Sequence, residues 1–138
     1  MQGFIWPYYL LDENEIDNNA NAKFSTQKYF QNSLIYTQKA YGIEKENINN
    51  KIHFFNQQNK YSKAIELRRK AIKNAEKVSI VELRDNISDE IADSYKNDFI
   101  KGLKLYFKGL ENENESQLNS STLLLNNFGN IYREWRNE

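Results

Sequence analysis

Cysteine is absent from the 138-residue chain, which excludes disulfides and thiolate metal sites. Its absence agrees with a reducing compartment, and a cytoplasmic location is the expectation. Proline occurs once, at Pro7, and glycine five times. With so few breakers beyond residue 22, helices joined by short turns are expected. Neither sign of charge is in excess, because 19 Lys and Arg balance 19 Asp and Glu. That balance speaks against a nucleic-acid partner, since non-specific binders carry a basic excess or stripe. No run reaches the roughly 18 apolar residues that cross a bilayer, so no membrane partner is expected. A single histidine, His53, beside Phe54 and Phe55, is too little for a common zinc set and reads as structural.

Aromatic residues are plentiful: 9 Tyr, 8 Phe and 2 Trp, enough to build a core despite the polar average. Residues 1–21 form a distinct N-terminal arm. Its first part is aromatic, with Phe4, Trp6, Tyr8 and Tyr9, and its second is acidic, with Asp12, Glu13, Glu15 and Asp17. The apolar part reads as an arm packed on the domain or, alternatively, as an aromatic anchor for a partner. The acidic part lacks apolar periodicity and reads as a linker. Residues 22–138 read as one helical domain.

Within that domain the strongest signal is a stripe in which Ile91, Tyr95, Phe99, Leu103 and Phe107 recur every four residues. Ala92, Ile100, Tyr106 and Leu110 lie beside it, as an amphipathic helix requires. Ser88 is a suitable N-cap, with Asp89 and Glu90 in the first turn where the helix dipole favours negative charge. A second face joins Tyr61, Ala64, Ile65, Arg68, Ala71, Ile72 and Ala75. Further helices are expected over about 22–41, stopping at Gly42 as a C′ residue, over about 44–57, and over about 117–136.

Residues 59–72 align without gaps to 97–110 at a spacing of 38. Tyr61 meets Phe99, Ala64 meets Gly102, Ile65 meets Leu103, Ala71 meets Gly109 and Ile72 meets Leu110. A weaker copy over 30–41 puts Ser33 and Ala40 at the two small positions. Small residues seven apart share a helix face and let a neighbouring helix come close. Such paired helices bury their apolar faces by stacking. Asn59, Tyr61, Ala64 and Ala71, then Asn97, Phe99, Gly102, Tyr106 and Gly109, resemble the second helix of a tetratricopeptide repeat. Leu125, Phe128, Gly129 and Tyr132 resemble its first helix. The likeness covers about half the chain and departs from the family in its long spacing, in lacking a closing proline and in having Arg68 where an aromatic belongs. It implies protein or peptide binding on a concave face. The fold class expected is therefore all-α: an irregular stack of antiparallel helical hairpins, five to six helices, tetratricopeptide-like or a small bundle.

Motifs for catalysis are missing. There is no phosphate-binding glycine loop, no dinucleotide fingerprint and no nucleophile elbow. Asp89, Glu90 and Asp93 are explained by a helix start. The basic stretch of Lys60, Lys63, Arg68, Arg69, Lys70 and Lys73 reads as a polar face. The expectation is a non-catalytic protein–protein interaction module without metal or cofactor, whose partner is another protein; a homo-oligomer is compatible with it. Its narrower form is a small bacterial immunity or inhibitor protein. The alternative is a small helical ligand-binding protein or enzyme with a pocket between helices. Trp6, Tyr8, Tyr9, Tyr132 and Trp135 are the expected aromatic anchors, and Asp12, Glu13, Glu15 and Asp17 the expected acidic contacts.

Overall fold

Five helices and no strand account for residues 24–44 and 61–137, the residues that the computed structural model describes. Helix α1 spans Gln27–Glu44, α2 spans Ser62–Ala75 and α3 spans Ile80–Asn86. Helix α4 starts over Asp89–Ser94, widens into a π segment over Tyr95–Ile100 and continues over Lys101–Asn112. Helix α5 spans Glu115–Asn137. The architecture is the all-α arrangement of paired helices expected from the pattern. The arm over 1–21, His53 and the helix expected over 44–57 lie outside the described residues.

Helix α1 pairs with α2, and the last stretch of α4 pairs with α5. Small residues mark both contacts. Ala40, Ala64 and Leu67 form one close-packed group, with Tyr36 beside it. In the other pair, a Cβ on Gly102 would stand 3.0 Å from Leu125 Cγ, and one on Gly109 would stand 2.9 Å from Leu118 Cδ2. Ser121 adds a hydrogen bond to the Gly102 carbonyl at 2.6 Å. A two-residue turn joins α4 to α5. Glu113 takes the left-handed conformation at φ 48°, and the Asn114 amide returns to the Gly109 carbonyl at 2.9 Å. This is a Schellman ending built without glycine. Asn114 then caps α5, its Oδ1 accepting from the Gln117 amide at 3.0 Å.

Between the two pairs lies an aromatic core. Tyr95 contacts Phe30 at 5.0 Å, Phe99 at 5.0 Å and Phe128 at 5.6 Å between ring centroids. Burying each such ring removes enough apolar surface to stabilise by about 1.5–3 kcal/mol. The π segment explains the four-residue stripe. On an α-helix a step of four residues overshoots one turn by about 40°, so five such residues cannot share a face. A π turn, with i→i+5 bonds, takes about one residue more, which returns the stripe to register. Ile91, Tyr95, Phe99 and Leu103 are consequently all fully buried. Past the π segment the α period resumes. Tyr106 takes the next inward place, and Phe107, expected in the stripe, is half-buried beside it.

Two expectations about helix ends change. Helix α1 does not stop at Gly42 but continues to Glu44, because Glu44 is held by partners from α2 and α4. Helix α3 was not expected. Its signal was present as the sequence Ser79-Ile80-Val81-Glu82, a capping-box pattern, and Ser79 Oγ does accept from the Glu82 amide at 3.2 Å.

Candidate functional site: a buried ion pair and an exposed cationic face

Arg68 falls in the sequence both on the face of Tyr61, Ala64 and Ala71 and in a basic stretch read as a polar face; it follows the first and is buried between the two helix pairs. Its Nη2 donates to Glu44 Oε1 at 2.7 Å and its Nε to Oε2 at 3.3 Å. The guanidinium lies 4.1 Å from the centre of the Tyr106 ring, and the Tyr106 hydroxyl donates to Glu44 Oε2 at 2.7 Å. Arg68 and Glu44 side chains are 5% and 13% exposed, so the pair is largely withdrawn from water. Burial by itself disfavours the charged guanidinium, but Glu44 and Tyr106 together outweigh it and the net shift is upward. Burial, then the Glu44 charge, pushes the Tyr106 hydroxyl well above its ordinary value. Tyr95 is also raised by burial, partly offset by its hydrogen bond with Ser33 at 2.6 Å. Both phenols therefore remain protonated at neutral pH, and Tyr106 serves as a hydrogen-bond donor to Glu44. Among the described residues no group of three His, Cys, Asp or Glu could hold a metal ion.

A second polar junction ties α1 to α3. Glu82 accepts from Ser25 Oγ at 2.6 Å, from the Thr26 amide at 3.2 Å and from Thr26 Oγ1 at 3.3 Å. In return Thr26 Oγ1 accepts from the Ser79 amide at 3.1 Å. The two helix starts thus cap each other. The Ser25 hydrogen bond, with those from Thr26, holds the Glu82 carboxyl below its ordinary pKa.

Lysines meet tyrosine rings where α1 and α2 run side by side. The Lys77 ammonium lies 5.2 Å from the Tyr29 ring centre and the Lys70 ammonium 5.9 Å from that of Tyr36. The Lys28 ammonium also lies 5.0 Å from the Tyr29 ring centre. At the far end of α5 the expected anchors separate. Tyr132 is only 5% exposed and packs on Phe128 and Phe30, whereas Trp135 is 37% exposed and stacks on Tyr132 at 5.7 Å. Tyr132 is a core residue that supports Trp135. The expected anchors Trp6, Tyr8 and Tyr9 and the acidic residues Asp12, Glu13, Glu15 and Asp17 lie outside the described residues.

Sequence reasoning missed the Arg68, Glu44 and Tyr106 cluster, since nothing local links Glu44 to Arg68, 24 positions on, or to Tyr106, 62 positions on. An available signal was the arginine at position 68 on an otherwise apolar face, which requires a buried acid. No known protein family, curated protein or solved structure matches the chain.

Proposed function

We propose that the chain is a non-catalytic protein–protein interaction module. The observation that carries this reading is Trp135, an indole left partly in water at a helix end and backed by a buried ring. Tryptophan, with one apolar face to cover, is enriched at the centres of protein interfaces. Tyr95 and Tyr106, held protonated, and Tyr29 and Tyr36, beside lysine ammonium groups, favour recognition over catalysis. The tetratricopeptide-like reading is supported by Ala64, Gly102 and Gly109 at the close helix approaches. The narrower reading, a bacterial immunity or inhibitor protein, rests on the acidic residues Asp12, Glu13, Glu15 and Asp17.

The test is affinity purification of the tagged chain from its native host, read by mass spectrometry. Trp135→Ala and a triple Trp6, Tyr8 and Tyr9→Ala variant are run in parallel. One dominant protein, lost in either variant, is the expected result. Recovery of no specific protein in any sample removes the reading.

A further inference from the structure

Two seven-residue periods run side by side where α1 and α2 pair. Tyr29 and Tyr36 are seven apart on α1, and Lys70 on α2 is followed seven residues later by Lys77 in the turn just past the end of that helix. Their rings and ammonium groups pair as two rungs, Tyr29 with Lys77 and Tyr36 with Lys70. The helices are antiparallel, so the next step of seven brings residue 43 level with residue 63. Ile43 is 38% exposed there, and Lys63 is exposed. Lys28 adds a further cation at the Tyr29 end. A chain of zero net charge thus gathers a row of lysines on one face, beside a row of partly buried apolar side chains. Glu66, 3.6 Å from Lys70, stands within the row.

We propose that this face docks an acidic amphipathic helix of a partner protein, one with carboxylates at seven-residue spacing. The inference rests on the interaction-module reading and gives its partner a chemistry. Seven residues advance about 10.5 Å along any α-helix, so carboxylates repeated every seven residues step in phase with Lys63 and Lys70 on α2 and run on toward Lys77 in the turn past its end. The partner's apolar residues, three or four positions on, rest against Tyr29, Tyr36 and Ile43, the helix-in-groove mode of recognition. Complementary charge sets register and partner choice more than raw affinity. A nucleic acid fits the face less well. Duplex DNA carries about one charge per 1.7 Å of axis and would meet Glu66, whereas spaced carboxylates pass over it. Nor do the arginines of α2 serve that face. Arg68 is buried with Glu44, and Arg69 lies 4.9 Å from the centre of the Phe107 ring.

Fluorescence anisotropy with the full chain tests this. The probe is a labelled synthetic 21-residue helix with Glu at every seventh position, Leu three and four residues after each, and Ala and Gln elsewhere. Two controls accompany it: a peptide of the same composition with Glu at five-residue spacing, and a 20-nucleotide DNA duplex. The expected result is micromolar binding of the first peptide and at least tenfold weaker binding of both controls. Lys63→Glu, Lys70→Glu and Lys77→Glu combined should lose at least tenfold more, with circular dichroism and the urea midpoint unchanged. Absent binding, equal affinity for the two peptides, tighter binding of the duplex, or no loss in the triple variant would each overturn the proposal. Sedimentation of the free chain covers the remaining occupant: self-association abolished by the triple variant would assign the face to a second copy and overturn it too. A native partner that Trp135→Ala loses and the lysine variant keeps would leave the module reading intact and sink this docking face alone.

Discussion

Arg68 carries its charge into the interior because Glu44 and the Tyr106 ring meet it there. A buried pair of this kind contributes little net stability, since withdrawing both ions from water costs about as much as their attraction returns. Losing one partner is different, because it strands the other. Glu44→Ala should therefore destabilise the fold by about 3–5 kcal/mol, read from urea denaturation. Glu44→Gln combined with Arg68→Met leaves no buried charge and keeps an acceptor for the Tyr106 hydroxyl, so it should recover to within about 1 kcal/mol of the parent. A double variant as unstable as Glu44→Ala would show that packing, rather than the stranded charge, sets the loss.

Helix α4 shows how an element can be both legible and surprising. Its start at Ser88 was readable, and Ser88 Oγ does accept from the Ile91 amide at 3.0 Å. The four-residue stripe was readable as well, but its strictness was the sign of a π segment, because an ordinary α-helix would have let it drift. The same helix supplies a test of the small positions. Alanine in place of a helical glycine ordinarily gains about 1 kcal/mol of propensity. At Gly109 the added Cβ would meet the backbone nitrogen of Leu118 at 3.1 Å, as well as its side chain. The Leu118 backbone, in the first turn of α5 and bonded to the Asn114 carbonyl, has little room to yield, so Gly109→Ala should cost about 1–3 kcal/mol by overpacking, a loss larger than that gain. At Gly102 the three nearest atoms belong to the side chains of Leu124 and Leu125, the closest being Leu125 Cγ at 3.0 Å, and side chain yields more readily than backbone. Gly102→Ala should fall within about 1 kcal/mol of neutral when the opposed terms of overpacking and propensity are set together. Thermal midpoints of the two variants, compared side by side, check the difference.

For the whole molecule, the class of fold was legible in the sequence because helix periodicity and the shortage of breakers are local properties. The apolar faces of α2 and α4 followed from spacing alone. What joins the helices was not legible. The Arg68 cluster and the Glu82 junction depend on residues far apart in sequence, brought together only by packing. Among the candidate binding residues, Trp135 was found by type, while Tyr132 shares that type and is core, a distinction that depends on Phe30 from the opposite end of the chain. The lysine row was partly visible as a basic stretch, but its pairing with Tyr29 and Tyr36 required the α1–α2 register.

The mutual capping of α1 and α3 has a consequence for how the molecule opens. By joining Thr26 to Glu82 it closes a loop of chain 56 residues long. Closing a loop has an entropic cost that grows only slowly with length, so a few hydrogen bonds suffice to hold it. Once closed, the start of α1 cannot fray without also releasing the start of α3, so these two helix starts should open as one unit. Glu82 makes that unit sensitive to acid. Its pKa is lowered in the fold, so its contribution is complete above the ordinary carboxylate value of about 4.3. The contribution is lost as pH falls through the lower folded value. Native-state hydrogen exchange of the full chain should show the amides at the starts of α1 and α3 losing protection together on acidification, and Glu82→Gln should abolish that shared pH dependence.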